Sequence, residues 1–323
     1  MLSARFKPWH VPLFIGKYAW LVARRRPVLV HFEVTLRCNA RCDFCDYWKT
    51  DPRARDLEVR SFADAARFFK PLLVTFTGGE PTLRPDLEEL VRAVVSEVRL
   101  KYVMLITHGA KLNVSRALSL WEAGINQFNI SLDYLDERHD RARGIPGLAD
   151  RILRTVPELR AAGIDSVRFN TVIKRDNVSE IMPIVHRARE LGCGVNLSVY
   201  TDAKNGNRTH LLPPEELGEV ERLCRELLAF KDRNRGVITN SDYYLAQIPR
   251  YLRGEMTEPC RSGVRTIHLD PSGNIKRCPD FPVDFHWSEY RRYQPISCNA
   301  CYYACRGEAQ APLQLSRVRD VMA

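Results

Sequence analysis

Apolar and polar residues alternate along residues 28–230 in two kinds of segment. Short apolar runs predict strands, and the longer amphipathic stretches between them predict helices. The predicted strands are 28–32, 73–77, 102–107, 126–132, 166–173 and 194–200, and the predicted helices are 61–70, 85–98, 112–123, 148–162, 178–191 and 213–231. Strands that alternate with helices of this length predict parallel βαβ units, and therefore an α/β fold with an open, six-stranded partial barrel.

Single residues mark where these helices are expected to begin and end. Ser61 is the expected N-cap of the first core helix, and Pro85 suits the first turn of the second. Gly124, Gly163 and Gly192 each stand where a helix is expected to end. In parallel α/β folds the loops after the strands gather at one edge, so we expect the reactive residues there.

The pattern changes after about residue 231. Helical periodicity fades, and five of the ten cysteines fall between Cys260 and Cys305. A hairpin is predicted over 266–276, with Pro-Ser-Gly-Asn as its turn. We therefore expect a helical extension over 1–27, a core over 28–230 and a small cysteine-rich domain over 231–323, with the boundary between the last two near 231–255.

Composition and charge narrow the class of protein. The chain has 323 residues, of which 45% are hydrophobic, and a net charge of +10 that favours acidic partners: nucleic acid, an anionic membrane or an acidic electron donor. No segment is long and apolar enough to span a bilayer. Residues 11–23 are expected to pack on the body of the protein. The alternative is a helix on a membrane surface that buries Trp9, Phe14 and Trp20 in lipid.

Three cysteines follow the first predicted strand in the spacing CxxxCxxC: Cys38, Cys42 and Cys45. A four-iron cluster takes four thiolates, and the next cysteine along the chain is Cys193. The motif thus predicts a cluster with three protein ligands and one open, reactive iron. Zinc sites usually show four ligands, and disulfide frameworks belong to small secreted proteins, so both alternatives fit less well.

This loop, with Phe44 directly before the third cysteine, resembles that of the radical S-adenosylmethionine (SAM) superfamily. The resemblance implies a partial (β/α)6 TIM-like barrel, and a [4Fe–4S] cluster held by three cysteines and SAM. The segment after the second strand matches the family's GGE segment, so Gly78, Gly79 and Glu80 are expected to hold the amino group of SAM. Paired glycines also let a ligand approach the backbone closely. Phe44 is expected to lie against the adenine.

Two further strand ends carry candidate residues. Ser131 and Asp133 alternate on one face of the fourth predicted strand. They resemble the family's SxD segment, whose side chains reach the ribose or carboxylate of SAM. After the third strand the family commonly has Thr-Asn-Gly, whereas this chain has Thr107-His108-Gly109. Asp133 and His108 are therefore the candidates for a catalytic role.

The C-terminal cysteines form a second group. The spacing Cys260-x12-Gly273-x4-Cys278 resembles the opening of the SPASM and twitch extensions, which carry auxiliary [4Fe–4S] clusters. Five cysteines suffice for one such cluster; zinc is the alternative. The preferred ligands are Cys260, Cys278, Cys298 and Cys301, with Cys305 as a spare, a replacement or a ligand to the substrate. Cys193 and Cys224 are expected to be small buried hydrophobic residues.

The resemblance implies that the reduced cluster cleaves SAM, and that the resulting 5′-deoxyadenosyl radical abstracts hydrogen from a substrate. We expect a small-molecule, sugar or lipid-precursor substrate, because only 27 residues precede the first strand and peptide-modifying relatives often carry a longer recognition domain there. The alternative is a peptide or protein maturase. A non-enzymatic iron–sulfur or zinc protein that binds nucleic acid is a remote third. The expected donor is a flavodoxin or ferredoxin, and the expected location is the cytoplasm, with membrane-surface contact as an addition.

Overall fold

One open sheet organises the chain. The structure is a computed structural model that describes residues 7, 9–50, 56–256 and 258–312. Within these residues, nine strands lie in the order β6-β5-β4-β3-β2-β1-β7-β8-β9, with β6 and β9 as the two edges. The strands are β1 Leu29–Thr35, β2 Leu73–Gly78, β3 Tyr102–Thr107, β4 Gln127–Ser131, β5 Val167–Ile173, β6 Gly194–Val199, β7 Thr266–Leu269, β8 Asn274–Lys276 and β9 Val283–His286. Because β1 to β6 are parallel neighbours and the sheet does not close, the predicted partial α/β barrel is confirmed.

Ten helices accompany the sheet in the described residues. They are α1 His10–Ala23, α2 Val59–Phe69, α3 Leu87–Glu97, α4 Val114–Ala123, α5 Glu137–Arg143, α6 Leu148–Ala161, α7 Ile181–Glu190, α8 Leu217–Arg233, α9 Asp242–Leu252 and α10 Ala304–Gln310. The six predicted core helices correspond to α2, α3, α4, α6, α7 and α8. The prediction that helical structure fades after residue 231 is wrong, because α9 follows α8 directly and carries Pro249 near its end.

The predicted helix starts need two corrections. Helix α2 begins at Val59 with Glu58 as its N-cap, and the Ser61 amide donates to the Glu58 carbonyl oxygen, so Ser61 lies inside the helix. Helix α3 has Asp86 as its N-cap, which leaves Pro85 just outside. Both errors are short shifts at the start of a helix, where boundaries are defined only to within a residue or two. The predicted helix ends are confirmed: Gly124 caps α4, and Gly163 and Gly192 follow the C-caps of α6 and α7.

The two faces of the strands differ in polarity. On β1, Val30, Phe32 and Val34 face the helices and join the hydrophobic core. The alternating residues, which include His31 and Glu33, face the interior of the barrel, called the lumen below. Core-facing aliphatic and aromatic residues thus hold the helices in place, while the lumen wall is free to carry polar side chains.

The predicted hairpin is confirmed as β7 and β8, which pair antiparallel around a turn in which the Gly273 amide donates to the Asp270 carbonyl oxygen. Its placement was not predicted: β7 pairs parallel with β1, with Leu29 opposite Thr266 and Phe32 opposite Leu269. The C-terminal segment therefore continues the barrel sheet. The boundary near 231–255 stays a prediction.

Helix α1 packs on the body of the protein, as expected for residues 11–23. Leu21 is buried against Val28 and Leu72, and Phe14 and Tyr18 pack against the same cluster. These partners precede β1 and β2, so α1 lies at the end of the barrel where the strands begin. Among the described residues no helix has both the length and the apolar character needed to cross a membrane.

Candidate functional site

The loop after β1 groups the three closely spaced cysteines. Cys42 is buried, whereas Cys38 and Cys45 are partly exposed. The indole nitrogen of Trp48 donates hydrogen bonds of 2.9 Å to the carbonyl oxygens of Cys42 and Cys45. Burial raises the pKa of the Cys38 thiol to about 12, and the Glu80 carboxylate and the thiols of Cys42 and Cys45 add to the rise.

A buried cation stands beside this group. Burial raises the pKa of the Cys42 thiol, and Arg143, whose Nη1 lies 3.7 Å from the Cys42 sulfur, opposes that rise. Thiolates need nearby positive charge, which a metal cluster or a cation supplies. Three grouped thiols, a neighbouring guanidinium and no fourth cysteine in this loop fit a [4Fe–4S] cluster with one open iron.

Gly78 and Gly79 let the loop after β2 pack directly against the chain that leads into Cys38. A Cβ on Gly78 would lie 2.2 Å from the carbonyl oxygen of Thr35, and a Cβ on Gly79 would lie 2.2 Å from that of Arg37. The Gly79 amide also donates to the Thr35 carbonyl oxygen at 2.8 Å. The space that these glycines leave is therefore filled by the cysteine loop. Their predicted contact with SAM stays a prediction.

The Glu80 carboxylate is buried and already hydrogen-bonded. Its Oε1 accepts from the hydroxyls of Thr82 and Thr107, at 2.5 and 2.6 Å, and its Oε2 accepts from the His108 amide at 2.8 Å. These bonds join the loop after β2 to the end of β3. Glu80 thus fixes the shape of the Gly78–Gly79 turn, and its contact with the amino group of SAM stays a prediction.

His108 links the same carboxylate to the cysteine loop. Its Nε2 lies 2.9 Å from Oδ1 of Asn39, the residue after Cys38, and 3.3 Å from Oε2 of Glu80. Its Nδ1 accepts from the Ala110 amide at 3.1 Å, so the proton is on Nε2. Burial lowers the pKa of His108. This neutral, doubly anchored imidazole is suited to positioning; a catalytic role for it stays a prediction.

Asp133 is fully buried and ion-paired. Its Oδ2 lies 2.5 Å from Nη2 of Arg143, and its Oδ1 accepts from the Val172 amide at 2.9 Å. Burial alone would raise the pKa of Asp133, but Arg143 and His139 lower it below the usual value. A carboxylate that stays ionised and engaged in this way orients Arg143 toward Cys42. That arrangement favours a positioning role over proton transfer for this predicted site residue.

Two cations that the sequence did not single out lie close to the Phe44 ring. The guanidinium of Arg143 and the ammonium of Lys174 each lie 5.0 Å from the centre of this ring. Lys174 directly follows β5, whereas Arg143 is the last residue of α5, the helix that follows β4. For Lys174, its position directly after a strand was the available signal. Both cations are placed to hold the ring that is expected to contact the adenine.

The C-terminal cysteines line one cavity. All five side chains contribute to its wall: Cys260, Cys278, Cys298, Cys301 and Cys305. The structure therefore groups Cys305 with the four preferred ligands. Burial raises the pKa of Cys278 to about 11 and that of Cys305 to about 12. The prediction that Cys193 and Cys224 are buried hydrophobic residues is confirmed, because both join the apolar core.

The geometry of this cavity suits a cluster. In the part of the chain that the structure describes, no three histidine, cysteine or acidic side chains converge as the ligands of a single ion do. A cluster binds its thiolates at separate iron atoms, so a cavity shared by five thiols is the feature that fits it. Arg306 braces the wall, because it donates to the Cys301 carbonyl oxygen at 2.5 Å and to Asn299 Oδ1 at 2.8 Å.

A buried glutamate connects the two groups of cysteines. The Glu33 carboxylate, in the lumen, accepts from Lys276 Nζ at 2.7 Å, from His268 Nδ1 at 3.2 Å and from the Tyr47 hydroxyl. Tyr47 follows Cys45 by two residues, and Lys276 precedes Cys278 by two. One carboxylate on β1 thus holds the loop of the first group and the strand that leads to the second.

Replacing Glu33 with glutamine is expected to destabilise the protein by on the order of 3 kcal/mol at neutral pH. Burial would raise the pKa of Glu33, but His268 and Lys276 lower it from its ordinary value of 4.5 to about 2. This stabilisation is complete above pH 4.5 and is lost as the pH falls toward 2. Unfolding measured across that range should be less pH-dependent in Glu33→Gln. Glu226→Gln, at an exposed position on α8, is the matched control, and an equal effect of both changes at pH 7 would contradict the prediction.

The fold and the site together define a class of protein. It is an α/β partial barrel in which a loop at the carboxyl ends of the strands carries three thiols, which suit a cluster with one iron left open. The model of the radical SAM superfamily matches residues 32–188. A PqqA peptide cyclase from Gluconobacter oxydans is 30% identical over 262 residues, which cover 78% of this chain and 70% of that protein. The chain belongs to the radical SAM superfamily. It is accordingly an enzyme that uses a [4Fe–4S] cluster and SAM.

Other relatives show that proteins similar to this chain have different named activities. A GTP 3′,8-cyclase from Marinobacter nauticus is 36% identical over 219 residues, which cover 64% of this chain and 65% of that protein. Among solved structures, SuiB from Streptococcus suis bound to S-adenosylmethionine aligns with a TM-score of 0.66 at 17% identity, over 87% of this chain and 69% of that chain. The likeness to SuiB extends the shared fold beyond the matched core and into the C-terminal region.

Proposed function

We propose that this radical SAM enzyme modifies a peptide, by forming a crosslink or oxidising a residue. Support comes from the relative named as a PqqA peptide cyclase, whose similarity covers most of both chains. The expectation of a small-molecule substrate was based on the short stretch before the first strand, which says nothing about the chemistry of the lumen.

The observation that carries the proposal is a row of polar side chains on the lumen wall. Ser131, Asn170 and Asn196 stand opposite one another on β4, β5 and β6. All three are only half-buried, and Asn196 Nδ2 donates to Asn170 Oδ1 at 2.7 Å. Carboxamides offer both a donor and an acceptor, which is the pattern that a peptide bond presents. The row begins at Ser131, next to the proposed SAM site.

This chain's own residues would hold the reacting groups in place. Cys38, Cys42 and Cys45 would bind the first cluster, and the C-terminal cysteines an auxiliary one. When bound, the clusters and SAM supply a carbon radical that removes a hydrogen atom from the substrate, together with an acceptor or relay for an electron. Arg143 lies against the Cys42 sulfur, and it and a second cation lie close to the Phe44 ring. The buried Glu33 carboxylate joins the first cysteine loop to the strand that leads to the second cysteine group.

Transfer of deuterium from peptides tests the proposal. Anaerobically reconstituted enzyme is given SAM, dithionite and a tryptic digest of a fully deuterated bacterial proteome. Deuterium is expected in the 5′-deoxyadenosine that forms, as measured by mass spectrometry. Asn196→Leu should lower this transfer about tenfold, because it removes hydrogen bonds to the substrate. Asn234→Leu, at the end of α8 and away from the lumen, serves as the matched control.

A small-molecule substrate is the second candidate, favoured by the relative named as a GTP 3′,8-cyclase. The same assay separates the two. Deuterium that comes from a deuterated metabolite extract or from deuterated GTP, and not from the peptide digest, would contradict the peptide proposal while leaving the radical chemistry intact.

We also propose a cytoplasmic location and an acidic electron donor of the flavodoxin or ferredoxin type. All ten cysteines are unpaired, which suits a reducing compartment. Arg41 and Lys49 are exposed on the cysteine loop, where an acidic donor would approach the first cluster.

A further inference from the structure

Helix α1 has its charged residue inside and its apolar residues outside. Lys17, the only lysine, arginine or acidic residue in the helix, donates from Nζ to the carbonyl oxygens of Pro71, Arg99 and Leu100, at 2.8, 2.6 and 2.7 Å. Every exposed residue of the helix is apolar: Pro12, Leu13, Ile15, Gly16, Ala19, Trp20 and Ala23. This is the reverse of a solvent-facing helix, whose outer side is polar.

These residues form a continuous apolar patch, whereas exposed hydrophobic residues on most protein surfaces are scattered singly. Trp9, at the N-cap, is 66% exposed, Leu13 is 56% exposed and Ile15 is 52% exposed. Seven large hydrophobic residues are exposed in the described chain, and four of them belong to α1 and its N-cap. Large exposed apolar patches mark binding surfaces for proteins or membranes. Trp9 and Trp20 add the aromatic side chains that are enriched at membrane interfaces.

The surroundings of the patch are basic. Arg24 and Arg25 follow the helix and are exposed, and the Arg24 guanidinium lies 5.8 Å from the centre of the Trp20 ring. Lys70 and Arg99 are exposed on the two loops that Lys17 binds. Residues 9–32, which include the helix and its flanks, contain no acidic residue. An apolar helix face rimmed by basic residues is complementary to anionic lipid.

We propose that α1 docks this enzyme on the surface of an anionic lipid bilayer, with its outer face in the interface and the basic rim at the headgroups. A second copy of the chain suits the patch less well, because a symmetric contact would bring two basic rims together. The helix lies where the strands begin, so docking leaves the cysteine loops at the opposite end of the barrel. The active site would therefore stay open to the aqueous side.

Co-sedimentation with vesicles tests the proposal. The reconstituted full chain is expected to pellet with vesicles of phosphatidylglycerol and phosphatidylcholine, and much less with phosphatidylcholine alone. Binding should weaken as salt rises. Arg24→Gln with Arg25→Gln should lower the binding constant about twenty-five-fold, since each basic residue near the surface contributes about fivefold. Leu13→Ser with Trp20→Ser should abolish sedimentation.

Matched control variants change residues on other surfaces of the protein. Arg222→Gln with Arg225→Gln removes two exposed arginines from α8, and Val283→Ser removes an exposed apolar side chain from β9; both should bind as the wild type does. Uncoupled SAM cleavage and circular dichroism check that the α1 variants are folded. Wild-type protein that stays in the supernatant with anionic vesicles overturns the proposal. So does a dimer in light scattering that Leu13→Ser with Trp20→Ser dissociates.

Discussion

Replacing Cys42 with alanine is expected to abolish the reductive cleavage of SAM. Cys42 is the buried member of the triad, and Arg143 lies against its sulfur, so its loss removes one cluster ligand and leaves a buried guanidinium without that contact. Losing a partner that only supports a metal ligand typically costs 10–100-fold in affinity or activity, so losing a ligand should exceed about a hundredfold. The measurement is 5′-deoxyadenosine formed under anaerobic conditions with dithionite.

The control for this change is Cys224→Ala. Cys224 is also a buried thiol, but it belongs to α8 and joins the apolar core, outside both cysteine groups. The Cys224→Ala variant should be less stable than the wild type and should still cleave SAM. If Cys42→Ala retained cleavage close to that of Cys224→Ala, the assignment of the triad to the reactive cluster would fail.

Replacing Cys301 with alanine is expected to lower the iron content from roughly eight to roughly four atoms per chain, because two four-iron clusters become one. Cys301 is buried in the wall of the C-terminal cavity, and burial raises its pKa, so in this cavity the thiol needs a bound metal to ionise. SAM cleavage should continue in the variant, whereas product formation should stop. Iron and zinc are measured by mass spectrometry on reconstituted protein.

Cys193→Ala removes a buried thiol outside both groups and should keep the full iron content. Roughly four irons in the wild type, together with bound zinc, would show that the C-terminal cysteines form a zinc site. Because Cys305 lines the same cavity, Cys305→Ala can be compared with Cys301→Ala. The change with the smaller loss of iron identifies the cysteine that the cluster can spare.

Residues that are close in sequence were predictable. The CxxxCxxC spacing, the paired glycines and the alternating apolar runs each lie within one loop or strand. Local geometry therefore determines how they are arranged. The six parallel strands and six core helices follow from that periodicity, and so does the position of Cys38 just after a strand end.

Contacts between distant segments were not predictable in the same way. Arg143 meets Cys42 across 101 positions, and Lys276 meets Glu33 across 243. The sequence around a lone basic residue does not indicate which distant carboxylate or thiol that residue will contact. The glycines illustrate the same limit: the sequence showed that something must approach Gly79 closely, and the structure shows that the Arg37 carbonyl group is there.

The pairing of β7 with β1 bears on how such enzymes can be recombined. A chimaera cut near residue 231 would separate the two strands, exposing one side of β1 and leaving the Glu33 carboxylate without Lys276 and His268. A transplanted C-terminal segment must therefore bring a strand that matches the edge of β1 and donors that match Glu33. The edge of β1 with Glu33 and the C-terminal strand with its donors therefore form one unit. Neither can be exchanged between enzymes without the other.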